Sequence, residues 1–163
     1  TTLFRSDYCI IDLECDTAEF NDIAGNSKKL TKQDYESQFK VLFEEVNEIK
    51  EALDTNDIVE LVDGVIDVLV VISGFVQKLE NQGINMSKAM ELIAENNLSK
   101  YTMNAYVADM SVADYKSKGI EVVSEFNKEY CVYVLRDTNG KVRKPINFKS
   151  VDISDCIPEG VKL

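Results

Sequence analysis

Tyr35, Phe39, Leu42, Val46, Ile49 and Leu53 fall three and four residues apart, the spacing that lines one face of an α-helix. Thr31 stands where an N-cap belongs, so a long amphipathic helix is predicted from there to Leu53, broken by the "DTND" of residues 54–57. Asp57 can cap a second long helix that runs to about Leu79 or Glu80 before "NQG" stops it. A shorter helix is expected earlier, around Glu14 to Ile23, ending near Gly25. "INMSKAMELIAENNLSKYT" predicts another, with Ser87 near its start, and "SVADYKSKG" a short fifth whose Ser111 and Asp114 fit a capping box. The period then changes from helical to alternating. "EYCVYVLRDTNGKVRKPINF" carries β-rich residues on both sides of Asn139-Gly140, the dipeptide favoured in type I′ hairpin turns. Pro145 has no N–H for a ladder, which puts the second strand at an edge. The expected fold is mainly α: a helical core over about 14–120 and a small β-hairpin over about 129–155, within one domain of 163 residues.

Polar residues interrupt this pattern in one place that matters. Residues 43–75 hold nine carboxylates and one lysine, and no Lys or Arg occurs from Glu51 to Gln77. On a helical wheel Glu45 lies inside the apolar stripe with Val41, Leu42, Ile49 and Ala52, and Glu48 sits at its edge one turn on. Glu44 and Glu51 fall to one side and are expected to face solvent. From Ile58 to Val76 apolar residues occupy every side of the wheel, which predicts a helix buried all round. Only Glu60, Asp63 and Asp67 break that surface, within an arc of about 60°, and Gly64 beside them leaves room for an approach. Glu60 also stands three residues after Asp57, where a capping partner would stand. An unpaired buried carboxylate costs several kcal/mol, roughly, and clustering like charges adds to that. Either cations from elsewhere in the fold or bound metal ions must offset it. With oxygen ligands alone, the metal would be a hard one, Mg²⁺ or Mn²⁺ in its place.

Composition narrows the classes. Lys and Arg number 18 against 29 Asp and Glu, a net charge of −11, which repels nucleic-acid polymers and anionic lipid. No stretch approaches the roughly 20 apolar residues that span a bilayer, and no secretory leader is visible. There is no histidine, which removes imidazole acid–base chemistry and His-based zinc sites. Cys9, Cys15, Cys131 and Cys156 form no C-x-x-C pair and are expected to be reduced, mostly packing thiols of a cytoplasmic protein.

"EEVNE" followed after eleven residues by "ELVD" resembles the paired E-E-x-x-E and E-x-x-D signature of the MazG-like nucleoside triphosphate pyrophosphohydrolases. "DGVIDVLVVISG", "ENNLSKY" and "NGKVRKPINFKSVDI" resemble further segments of phage-type members of that all-α superfamily, so the likeness spans about 14–155. Such a resemblance implies an antiparallel four-helix core assembled as a homodimer or homotetramer, in the cytoplasm of a bacterium or of a phage-infected host. It implies Mg²⁺-dependent hydrolysis of a (deoxy)nucleoside triphosphate between the α and β phosphates, giving monophosphate and pyrophosphate. Glu45, Glu48, Asp63 and Asp67 would hold the metal, with the signature's last aspartate either Asp63 or Asp67. Glu60 would be a ligand or would orient the attacking water. Asn97, Lys100 and Tyr101 would contact substrate, joined by Asn21 and by Lys141 and Lys144 of the hairpin. Phe20 and Phe39 are further candidates for the base. Where many relatives carry an arginine before the E-E pair, this chain has Gln38 and Lys40. Two other readings fit the same residues: a non-catalytic nucleotide-sensing or interaction module, and a hydrolase of another pyrophosphate such as phosphoribosyl-ATP or an alarmone.

Overall fold

The computed structural model describes residues 9–25 and 31–162. It is mainly helical, with five helices and a small three-stranded antiparallel sheet near the C-terminus. The chain divides into two compact units, one reaching to Met86 and taking in the residues from Cys156 onward, the other Ser87–Asp155.

In the first unit α1 covers Ile10–Ala24, α2 Lys32–Thr55 and α3 Ile58–Asn81. α1 starts four residues before the expected Glu14, because the Asp12 carboxylate turns back to accept the Cys9 N–H at 2.9 Å and closes the first turn. Thr31 caps α2 with the Asp34 carboxylate accepting its N–H and hydroxyl at 2.7 and 2.6 Å. Asn56 ends α2 in the left-handed region at φ 56°, and Asp57 then caps α3 by accepting the N–H groups of Val59 and Glu60. A Cβ built on Gly64 would lie 3.0 Å from Ile49 Cγ1, and one on Gly74 3.0 Å from Gln38 Nε2. Contacts thus climb α3 while descending α2, so the two helices are antiparallel, with α2 side chains packed tightly against both glycines. α1 packs on α3 as well.

α3 is not buried all round in this chain. Ile58, Val59, Val62, Val65, Ile66 and Ile72 are all more than 40 % exposed, since α2 and α1 cover only part of its circumference. Phe39, Phe43 and Val46 of α2 and Phe20 and Ile23 of α1 are exposed too.

The second unit holds α4 (Met86–Leu98, whose first residue closes the first unit), α5 (Ala105–Ser117), β1 (Val122–Asn127), β2 (Val132–Asp137) and β3 (Val142–Arg143). Its core is Ala108 of α5 against Val122 and Leu135 of the sheet, ringed by Val112, Tyr115, Ile120 and Tyr133. The expected capping box at Ser111 is not formed. Asn104 caps α5 instead, accepting from Tyr106 N and Val107 N, and Ser111 lies mid-helix and fully buried. Its hydroxyl donates to Val107 O and accepts the Ile146 N–H at 2.8 Å, a long-range tie that local sequence does not reveal.

The sheet order is β1-β2-β3, with Val122 opposite Asp137 and Arg136 opposite Val142, so β3 is the edge strand expected from Pro145. β1 was not anticipated. The turn also differs from type I′: Gly140 takes positive φ (76°) whereas Asn139 does not, giving a three-residue loop that one glycine suffices to close. Asp137 organises it. Its carboxylate accepts from Asn139 N, Lys141 N and the Arg143 guanidinium at 2.8–3.0 Å. Of the cysteines only Cys156 is buried; the other three are exposed, and all four are free thiols.

Candidate functional site

The α2–α3 pair brings three carboxylates together. Gly64 seated on Ile49 sets the register, so Asp67, three residues further along α3, arrives beside the stretch of α2 that carries Glu45 and Glu48. Glu45 and Asp67 are half-buried and Glu48 is exposed. Burial pushes the Glu45 carboxyl above its usual pKa, and the charges of Glu48, Asp67 and Glu44 push it the same way. Asp63 and Glu60 are exposed and are not among the charges acting on Glu45. Between the two candidates for the signature's last aspartate, Asp67 is the one that shares Glu45's surroundings. Among the described residues no ion pair involves Glu45, Glu48, Glu60, Asp63 or Asp67.

An all-carboxylate set that repels itself has the donor chemistry of a hard divalent cation. Among the described residues no three Asp, Glu or Cys side chains are placed to hold one metal ion. Glu48 is already in side-chain contact with Glu45, and Asp67 acts on it through its charge.

The candidate substrate contacts fall in different places. Asn21 lies on α1, its amide nitrogen 3.5 Å from where a Gly74 Cβ would be. The other five are in the second unit. Lys100 Nζ donates to Asn97 Oδ1 at 2.8 Å, so this pair orders itself across the C-terminal end of α4. Tyr101 follows it and lines two cavities. One, about 490 Å³, runs past Glu95, Asn96 and Ser99 to Asn147 and Lys149. The other, about 600 Å³, is more apolar, with Leu98, Met103, Tyr130 and Val132 in its wall and Arg136 at its side. Lys141 is exposed in the hairpin loop, while Lys144 places its ammonium 4.3 Å from the Phe148 ring centroid.

One group in the first unit was not anticipated. Lys78 on α3 is buried, 8 % exposed, and its ammonium donates to Gln38 Oε1. Gln38 Nε2 in turn donates to Val71 O at 3.1 Å. Burial holds the Lys78 pKa below the usual lysine value, with Asp34 acting weakly the other way. The available signal was positional: Lys78 is the first cation after a 27-residue stretch (51–77) without any, four residues beyond Gly74 on the helix.

No protein-family model, curated protein or solved structure matches the chain. Among the described residues no helix is long and apolar enough to cross a membrane.

Proposed function

We propose that the chain is a metal-dependent nucleoside triphosphate pyrophosphohydrolase of the MazG-like kind, cleaving a (deoxy)nucleoside triphosphate between the α and β phosphates and so controlling or cleaning the nucleotide pool. The observation that carries this reading is the Glu45 carboxyl, half-buried beside Glu48 and Asp67, with no cation among the described residues paired to any of them. A like-charged cluster of this sort is unfavourable in the free protein, so its value lies in what it binds. Glu45, Glu48 and Asp67 hold Mg²⁺ or Mn²⁺, with Asp63 completing the set and Glu60 either a further ligand or the acceptor that orients the attacking water. The bound ion neutralises phosphate charge and acidifies water. It also reverses an electrostatic problem: a triphosphate with about four negative charges would otherwise meet an acidic surface.

Asn97, Lys100 and Tyr101, with Lys141, Lys144 and Asn21, contact the substrate, lysines as point charges and amides as directional donors. The chain acts in the cytoplasm as a homodimer or homotetramer of four-helix units, for which the exposed apolar rows of α1, α2 and α3 are the support. The test is direct: incubate purified protein with each dNTP and Mg²⁺ and assay monophosphate and pyrophosphate. No product from any nucleotide would refute the reading. It would favour a non-catalytic nucleotide-sensing module, for which the exposure of Glu60 and Asp63 is the one favourable observation.

A further inference from the structure

An ammonium has three donors and nothing to accept with. Lys78 is buried, and among the described residues only one of its donors is used, on Gln38 Oε1. Around it the same chemistry repeats. Gln38 Nε2 uses one hydrogen on Val71 O and has a second. The Asn21 amide nitrogen lies at the same place, since it and Gln38 Nε2 would be 3.5 and 3.0 Å from a Gly74 Cβ. Three helices thus bring amide and ammonium donors to one glycine, in a protein of net charge −11.

A second observation is independent of the lysine. Gln77 donates its Nε2 to Ala18 O and to Asp22 Oδ1, which fixes the amide's orientation, and its Oε1 is buried with no hydrogen-bond partner among the described residues. Gln77 and Lys78 stand one turn beyond Gly74 and flank it on the helix wheel. A buried acceptor left unmet is unfavourable, and a hydrogen bond from a ligand would relieve it. The cluster therefore presents surplus donors around Gly74 with one unmet acceptor at its flank.

Its position suits a reader of one part of a substrate rather than a site for the ion. Gln38 and Glu45 are seven residues apart on α2, so they share a face about 10 Å apart along the axis, and Gly74 and Asp67 repeat that relation on α3. Resting on the pyrophosphohydrolase reading above, we propose that Lys78, with the Gln38 and Asn21 amides, is the specificity-determining contact for a nucleobase that presents a ring carbonyl. The carbonyl oxygen accepts from Lys78, and the neighbouring ring N–H donates to Gln77 Oε1. A base with an amino group at that atom meets donors with a donor, and a site built to hydrogen-bond one group rejects its opposite strongly.

The test uses matched pairs differing at that atom, dUMP against dCMP and dGMP against dAMP. Binding is measured by calorimetry in chelator, so that the acid set takes no part, with dNTP hydrolysis in Mg²⁺ assayed on the same preparations. Wild type should prefer the carbonyl member of each pair by roughly tenfold to a hundredfold, the value of a hydrogen bond to a charged group. Lys78→Met should bring both ratios to within about threefold; it leaves Gln38 Oε1 without its donor, so circular dichroism of each variant checks that the fold is kept. Lys78→Gln, which offers both a donor and an acceptor, should bind the two members alike and serves as the second variant. A lysine that is merely structural would lower stability or all four affinities together without moving the ratios, and that result overturns the inference. So does wild-type binding that ignores the carbonyl, or no binding at all. Pyrophosphate release tells the two failures apart: released with unchanged base ratios in Lys78→Met, it refutes the lysine's role alone; absent for every dNTP, it refutes the enzymatic reading.

Discussion

Glu45→Gln should make the metal-free protein more stable and the metal-loaded protein less so, an inversion that a purely structural glutamate would not produce. Burial and the charges of Glu48, Asp67 and Glu44 raise the Glu45 pKa, so the ionised form is disfavoured in the folded state. The sign follows from linkage: with the folded pKa above the unfolded one, the native state binds more protons in the window between them. Stability is then fully present below the ordinary glutamate range and is lost as pH rises through the folded value. At neutral pH the variant escapes that loss. A like-charge pair at i,i+3 costs about 0.2–0.5 kcal/mol, and one comparable pair across the helices doubles it, so the gain is roughly 0.5–1 kcal/mol. For a chain of this size that is a rise of about 1–4 °C in Tm in chelator. Magnesium at a hundred times its Kd would add about 2.7 kcal/mol to the wild type, or roughly 5–10 °C, and much less to the variant. Thermal unfolding followed by circular dichroism, in chelator and in Mg²⁺, measures both. Equal Mg²⁺ shifts for the two proteins, or no stabilisation of the variant in chelator, would refute the account.

The same geometry separates two aspartates: Asp67→Asn should lower turnover by about a hundredfold or more and Asp63→Asn by less, with equal losses counting against the pairing of Asp67 with Glu45. Gly64→Val should destabilise by about 1–3 kcal/mol, because the branched side chain meets Ile49, 3.0 Å from where even a Cβ would lie; urea titration should show a lower midpoint at unchanged m-value. Asp137 behaves oppositely to Glu45. Burial disfavours its charge, but the N–H groups of Lys141 and Asn139 and the Arg143 guanidinium outweigh that and hold its pKa below the usual value. Its contribution is present above the unfolded aspartate pKa and lost as pH falls through the folded one, so Asp137→Asn should flatten the acid limb of the stability curve, and an unchanged limb would count against the loop's dependence on it.

How much of this was legible depends on how local each cause is. α2 and α3 could be bounded closely because their ends are written in capping residues, Thr31 with Asp34, Asn56 and Asp57. α5 could not, because Ser111 looks like a cap locally, yet its hydroxyl serves the Ile146 N–H, 35 residues away. β1 was missed for a similar reason: Ser124, Glu125 and Asn127 dilute the alternation, and pairing with β2 supplies what propensity does not. The acid residues were legible as a set but not as a geometry. Helix phase places Glu60, Asp63 and Asp67 on one arc; only the seating of Gly64 on Ile49 decides that Asp67 stands by Glu45. Lys78 was marked only by its position after a cation-free stretch, because a lysine near a helix end is expected to reach out to solvent, and this one turns in to Gln38.

The wheel of α3 predicted burial on every side, and the single chain leaves a third or more of the surface of Val62, Val65 and Ile66 exposed. The pattern records which positions are apolar and is silent about what, if anything, covers them. On the proposed reading a second copy does, and that links assembly to the ion. Val41, one turn before Glu45 on the same face, is 40 % exposed, so a partner seated there would remove more water from a carboxyl already disfavoured as an anion. Association in chelator should therefore be opposed by Glu45 at neutral pH, and ions that neutralise it should tighten association by the same free energy with which association tightens ion binding. Analytical ultracentrifugation would show the self-association constant rising in Mg²⁺ and on Glu45→Gln in chelator. The two effects should not add, because each removes the same charge. A constant indifferent to both would mean that the apolar faces are covered somewhere away from the acid set.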